Sequence, residues 1–221
     1  ALQRRLGDKL GISWSLNHLG NVACVQGDYK VAQALFEESL TLFRELGDKF
    51  GIADALENLG KTMRFRGDWA EARRLYEECL VLNKEMGDKS ATAWALYNLG
   101  AVTQSQKEYE TARVLLEEGL TRFRELGHKA GTAWVLSFLG RPLTHLQQFS
   151  TARLVFHEAL VAFHQLKSVI GVIFSAEGMA GLSLAQGRLK ESVQIFAWTI
   201  ATRKAINNPL PAGEEEETES A

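Results

Sequence analysis

Apolar residues recur along the chain at the spacing of a helix face. Ile12, Leu16, Leu19 and Ala23 form one such set, and Ala32, Leu35, Phe36 and Leu40 the next. At 3.6 residues per turn each set falls on one side of a helix, which predicts two amphipathic helices in succession. The punctuation between them agrees. A Gly-Asp pair stands at 7–8, 27–28, 47–48, 67–68 and 87–88. The glycine can take the left-handed conformation that ends a helix, and the aspartate accepts from the free N–H groups of the next. Asp68 with Glu71 also matches a capping box. The predicted helices are ~17 residues long, about 25 Å each.

The pattern repeats every 40 residues. "RELGDKFGIADALENLG" (44–60) returns as "KEMGDKSATAWALYNLG" (84–100) and "RELGHKAGTAWVLSFLG" (124–140), with a looser "RRLGDKLGISWSLNHLG" at 4–20. Leu19, Leu59, Leu99 and Leu139 share one column with Met179; Gly20, Gly60, Gly100 and Gly140 share the next with Ala180. Ala32, Ala72, Ala112 and Ala152 align, as do Phe36, Tyr76, Leu116, Phe156 and Phe196; Leu40, Leu80, Leu120, Leu160 and Ile200 close the units. These columns define five units, at about 4–43, 44–83, 84–123, 124–163 and 164–203, within a repeat array spanning 1–206. A helix pair of this size cannot bury its apolar faces alone, so neighbouring units must stack. The fifth unit departs from the pattern: Lys167-Ser168-Val169 replaces "GDK", and Ile170, Ile173 and Phe174 add apolar surface, as expected of a capping repeat. The opening "ALQRRLGDK" aligns with "TLFRELGDK" (41–49), so the chain reads as starting inside the last turn of a helix. The final stretch, 207–221, combines Pro, Gly and an acidic run and is expected to be a disordered acidic tail.

Leu16, Leu19, Gly20, Ala23, Ala32, Phe36 and Ser39 resemble the signature of the tetratricopeptide repeat, lengthened here from its usual size to 40 residues. "ALENLG" and "ALYNLG" are similar to the long-repeat members: kinesin light chains, Leu-Gly-Asn repeat proteins, and sensor regions of bacterial signalling ATPases and regulators. The resemblance implies an all-α fold, a right-handed superhelical solenoid of five helix-turn-helix repeats whose first helices line a concave groove. It also implies a non-enzymatic scaffold for a protein or peptide segment, with the sensor region of a larger signalling protein as the more specific version. The competing assignment is structural, a spacer or an array that self-associates through its ends.

Composition narrows the choice by exclusion. In 221 residues the formal net charge is −2, so nucleic-acid binding driven by positive charge is not expected. Cys24 and Cys79 sit in different units without CxxC spacing, which argues against a zinc site or disulfide framework and for reduced thiols in the cytoplasm. No apolar run approaches the ~18 residues that span a bilayer, and no signal-peptide pattern opens the chain. The histidines, at 18, 128, 145, 157 and 164, lack ligand spacing, and no phosphate cradle or nucleophile motif is present. Neither a catalytic residue, a metal nor a cofactor is expected. Glu37-Glu38, Glu77-Glu78 and Glu117-Glu118, in helices that carry Arg73, Arg113 and Arg153 in one column, read as solvated helix surface.

Candidate binding residues lie opposite the Leu16–Leu19–Ala23 face of the first helices. That stripe reads Trp14-His18-Asn21-Val25, Asp54-Asn58-Lys61-Phe65, Trp94-Asn98-Ala101-Ser105, Trp134-Phe138-Arg141-His145 and Phe174-Gly178-Gly181-Ala185. Asn58 and Asn98 carry amides able to pair with an extended peptide backbone. Asn21, Lys61 and Arg141 share the column where carboxylate-clamping relatives place Asn and basic residues, and Arg64 flanks it as half of an anion-binding pair. Trp14, Trp94 and Trp134 offer rigid apolar area of the kind enriched at hot spots. Each has a structural alternative: inter-repeat packing for the tryptophans, bonds to neighbouring helices for the asparagines, plain surface charge for Lys61 and Arg64.

Overall fold

The computed structural model describes residues 8–206. The expected N-terminal helix remnant and the acidic tail at 207–221 lie outside the described residues. Among those residues the chain is all-α: α1 (Lys9–Val25), α2 (Tyr29–Leu46), α3 (Lys49–Phe65), α4 (Trp69–Met86), α5 (Lys89–Ser105), α6 (Tyr109–Glu125), α7 (Lys129–His145), α8 (Phe149–Gln165), α9 (Val169–Ala185) and α10 (Leu189–Ala205). Odd-numbered helices are the first helices of the repeats and even-numbered ones the second. The helices group into two compact units, one ending at Val102 and the other starting at Thr103.

The caps form as the punctuation requires. The side chains of Asp8, Asp28, Asp48, Asp68 and Asp88 accept from the backbone N–H three residues on. Where the aspartate is missing, His128 accepts from the Gly131 N–H through Nδ1 at 2.9 Å, and the Ser168 hydroxyl takes the same role for Gly171. The capping box at Asp68 is only half made. The Glu71 carboxylate turns to Arg74 at 2.6 Å, and the Asp68 N–H donates to Met63 O instead. A free carboxylate beside a guanidinium gains more from that pair than from a neutral N–H.

Small residues set how closely the helices approach. The Phe36 ring of α2 lies over Gly20 of α1, and a Cβ there would sit 2.6 Å from the ring; Tyr76 covers Gly60 in the same way at 2.8 Å. A second contact of this kind forms at three of the junctions between repeats. Phe43, Phe123 and Phe163 press on Gly51, Gly131 and Gly171 more closely than any Cβ would permit. At the equivalent positions the third repeat has Ala91, and the residue before it in the column is Asn83 rather than phenylalanine. Glycine is present at all three of these ring contacts, and alanine stands opposite Asn83.

In the N-terminal unit the core holds Leu16, Ala32, Phe36, Phe43, Leu56, Leu59, Leu75 and Tyr76, all buried. In the C-terminal unit Leu116, Phe123, Leu136, Phe156 and Phe163 have the same role. Two expected columns are graded by position. Leu59, Leu99 and Leu139 are buried, but Leu19 is 55% exposed, because no described helix pair lies against that side of α1. Leu40 and Leu120 are buried, Leu80 and Leu160 only half so, and Ile200 is 54% exposed on α10, the last described helix. In the fifth repeat Ile173 is buried, whereas Ile170 stays largely exposed.

Candidate functional site

The first helix α3 shows how the candidate face arises. Gly51, Ala53, Ala55, Leu56, Leu59, Gly60, Thr62 and Met63 are buried, which leaves one stripe with access to solvent. That stripe holds Asp54, Glu57, Asn58, Lys61 and Phe65, at intervals of three and four residues, so one helix face carries them all.

Asn58 is engaged inside the protein. Its amide Nδ2 donates to Asp54 Oδ2 at 3.2 Å and to Asn17 Oδ1 at 3.3 Å. Asn17, buried on α1, donates in turn to the same Asp54 oxygen. This Asn17–Asp54–Asn58 network ties the first helices of adjacent repeats together, and it commits the Asn58 donor to the fold. Asn98 is also buried, and Ala101, expected in the open stripe, is packed away at 4% exposure. Within the N-terminal unit the open stripe therefore runs along α1 and α3 and narrows on α5.

The tryptophans are largely packing groups. Trp14 meets Phe43 edge-on at 4.9 Å and lies 6.1 Å from Phe50. In the C-terminal unit Trp134 repeats the geometry with Phe163 at 4.9 Å and Phe174 at 5.9 Å. Trp94 meets Tyr97 edge-on at 5.7 Å. All three remain half-buried, each with part of its surface open.

The basic residues divide between the two units. Asn21 and Lys61 are exposed on α1 and α3, while Arg64 is half-buried with its guanidinium 5.5 Å from the Phe65 ring. Arg141 of the C-terminal unit stacks on Phe174 at 4.6 Å, and Phe174 stacks on Phe138 at 5.0 Å. The anion-binding pair of Lys61 and Arg64 is thus joined on its own helix by two carboxylates. Burial raises the Asp54 carboxyl above its usual range, opposed by the Asn17 hydrogen bond and the His18 charge. Burial likewise raises Glu57, with the Asp54 charge adding to the effect and Lys61 opposing it. Glu57 is not in the set Asp54-Asn58-Lys61-Phe65 read from the sequence, yet it shares their open face, one residue before Asn58. Its signal is a lone acid between core Leu56 and the polar Asn58 in "ALENLG".

Other features carry no candidate chemistry. Burial pushes the Cys79 thiol up to about 12, so it stays protonated at neutral pH. Among the described residues no group of three or more His, Cys, Asp or Glu is placed to hold a metal. Within the same residues no helix is long and apolar enough to cross a membrane. A cleft of about 490 Å³ lies away from the first-helix stripe, lined by Arg44, Gly47, Lys49, Ile52, Glu78 and Val81 among others. The ion pairs Arg44–Glu78 and Lys49–Glu85, at 2.5 and 3.1 Å, bridge its two sides.

Solved structures share this architecture at low sequence identity. A putative kinesin light chain with tetratricopeptide-like repeats from Podosopora anserina is 15% identical, with a TM-score of 0.68 over 88% of this chain and 96% of that one. A Rap protein complexed with competence and sporulation factor is 12% identical, with a TM-score of 0.75 over 87% of this chain and 54% of that one. A signal transduction ATPase with a tetratricopeptide repeat sensor from Pyrococcus horikoshii is 13% identical, with a TM-score of 0.74 over 91% of this chain and 32% of that one. A comparison with curated proteins finds no match. The tetratricopeptide repeat family model matches residues 11–85 and 91–163, and with the five helix pairs and their glycine–ring contacts this places the chain in the tetratricopeptide repeat family.

Proposed function

We propose that the chain is a non-catalytic scaffold that binds a protein or peptide segment along the first-helix face of its N-terminal unit. The observation that carries this reading is the open stripe on α1 and α3, where His18, Asn21, Asp54, Asn58 and Lys61 stand together on helices otherwise packed into a core. Trp14 and Trp94 add half-exposed aromatic surface in the same unit. A scaffold of this kind holds its side chains in place before the partner arrives, which lowers the ordering cost of binding. The likeness to a Rap protein solved with competence and sporulation factor supports the same reading.

The role foreseen for the asparagines changes. With its donor committed to Asp54 and Asn17, Asn58 shapes the face more than it offers a free amide rung. Asn21 and Lys61 are the exposed polar groups best placed to meet a partner.

The test is selection of twelve-residue peptides from a displayed random library on the 221-residue chain. Enriched peptides are then titrated by fluorescence anisotropy against Asn21→Ala with Lys61→Ala. Both side chains are exposed, so the double variant should melt like the wild type while losing about tenfold in affinity. Arg74→Ala, on the second helix α4, should bind normally. Equal affinity for both variants would remove the first-helix face as the binding surface.

A further inference from the structure

The open face of α3 carries two carboxylates, Asp54 and Glu57, and they differ in how the fold treats them. Asp54 is held by the amides of Asn17 and Asn58, both of which donate to one of its oxygens. Glu57 is half-buried and, among the described residues, forms no hydrogen bond or ion pair. A carboxylate withdrawn from water without a partner is costly, and folds seldom retain one without use.

The repeats provide an internal control. Glu177 occupies the same column as Glu57, and its two oxygens accept from Arg203 Nε and a terminal guanidinium nitrogen at 2.7 and 2.9 Å. Arg203 stands where other repeats carry Phe43, Phe123 or Phe163. In the second repeat that position is Asn83, whose amide donates to Cys79 Sγ at 3.3 Å. The acid is thus present in both repeats, while the guanidinium is present in only one.

A second observation points the same way. Tyr76 is the only member of its column with a hydroxyl, against Phe36, Leu116, Phe156 and Phe196. Its ring is fully buried over Gly60, and among the described residues its hydroxyl oxygen has no hydrogen-bond partner. Burial pushes that phenol up, and the groups acting on it at longer range are Arg64 and Glu57 of α3 together with Tyr97 and Cys79. By its contact with Gly60, this buried phenol lies under the stretch of α3 that carries Glu57.

We propose that Asp54 and Glu57 receive a cationic side chain of the bound segment, with a guanidinium as the best-fitting chemistry. This rests on the first-helix face being the binding surface. A guanidinium offers several donors in a planar fork, enough for both carboxylates, and a flat face for stacking. Tyr97, half-buried in the next repeat and set edge-on to Trp94, provides an aromatic wall in the Glu57 column. Lys61 opposes the charge of Glu57 from solvent, but its ammonium is exposed and makes no ion pair with it, so its field is screened. Arg64 lies over the Phe65 ring.

The test uses one side chain as probe. Acetyl-Ala-Arg-Ala-amide and its citrulline counterpart, equal in shape but neutral, are titrated into the isotope-labelled 221-residue chain while the side-chain carboxyl signals are followed by NMR. The arginine peptide should shift Glu57 and Asp54 saturably, and the citrulline peptide should bind at least tenfold more weakly. Glu57→Gln should abolish the difference while melting no lower than the wild type, because it removes a desolvated charge. Arg74→Ala, on the second helix α4, should bind the arginine probe as well as the wild type does. Equal binding of the two peptides, or undiminished arginine binding by Glu57→Gln, would overturn the proposal. So would magnesium or calcium ions alone producing the same shifts and displacing the peptide. Displayed peptides that bind the face without any Lys or Arg would overturn this inference and leave the face intact. Conversely, a saturable arginine shift with no first-helix effect on selected peptides would support the pocket and sink the face.

Discussion

At the scale of single residues, the contact between Phe43 and Gly51 shows how strictly the repeat is packed. The ring lies where a Cβ would need to be. Overpacking of this kind costs about 1–3 kcal/mol, so Gly51→Ala should destabilise the protein by that amount in urea unfolding. The sign depends on the ring. In a Phe43→Asn background, which reproduces the Asn83 and Ala91 combination of the next repeat, the same Gly51→Ala change should stabilise by up to ~1 kcal/mol through helix propensity. An unchanged sign in that double-mutant cycle would show that the ring is not what requires glycine there. The candidate site obeys the same logic, since Asn58 and Asp54 were legible as polar positions but their mutual bonds depend on Asn17, which lies 41 residues before Asn58.

At the scale of elements, the fifth repeat replaces an apolar contact with an ionic one. Glu177 of α9 and Arg203 of α10 are joined with side-chain exposures of 10% and 8%. Removing one partner from such a pair leaves a buried charge, at a cost of about 3–5 kcal/mol, so Arg203→Ala should strongly loosen the α9–α10 hairpin. Glu177→Ser with Arg203→Phe copies Ser137 and Phe163 of the fourth repeat and should lose far less. Hydrogen exchange of the α10 amides resolves the two cases, because stability in stacked repeats is local to neighbouring units. Equal protection in Arg203→Ala and wild type would show that the pair carries little weight. Helix placement itself was legible, since caps and glycine stops act within a few residues. The capping box at Asp68 was the exception: its return bond lost to Arg74, a residue on the exposed side of α4.

At the scale of the whole molecule, identical words in the sequence acquire different energies. Leu59 and Leu19 occupy one column, yet Leu59 is 5% exposed and Leu19 55%. Leu59→Ala should therefore cost ~2–5 kcal/mol through a core cavity, whereas Leu19→Ala should stay within about 0.5 kcal/mol. Comparable losses measured by urea unfolding would mean that α1 is covered in solution.

What the amino-acid order determined alone was the period, the helix pairs, their ends and the family they belong to. Those features follow from contacts between residues a few positions apart, repeated often enough to be read without a structure. Only the tertiary structure decided which polar groups on the first helices are satisfied. It joined Asn58 to Asp54 and Asn17, turned Trp14 toward Phe43, and left Glu57 without the guanidinium that Glu177 has. The reason is physical: helix formation depends on near neighbours, whereas desolvation and pairing depend on side chains that stacking brings from other repeats.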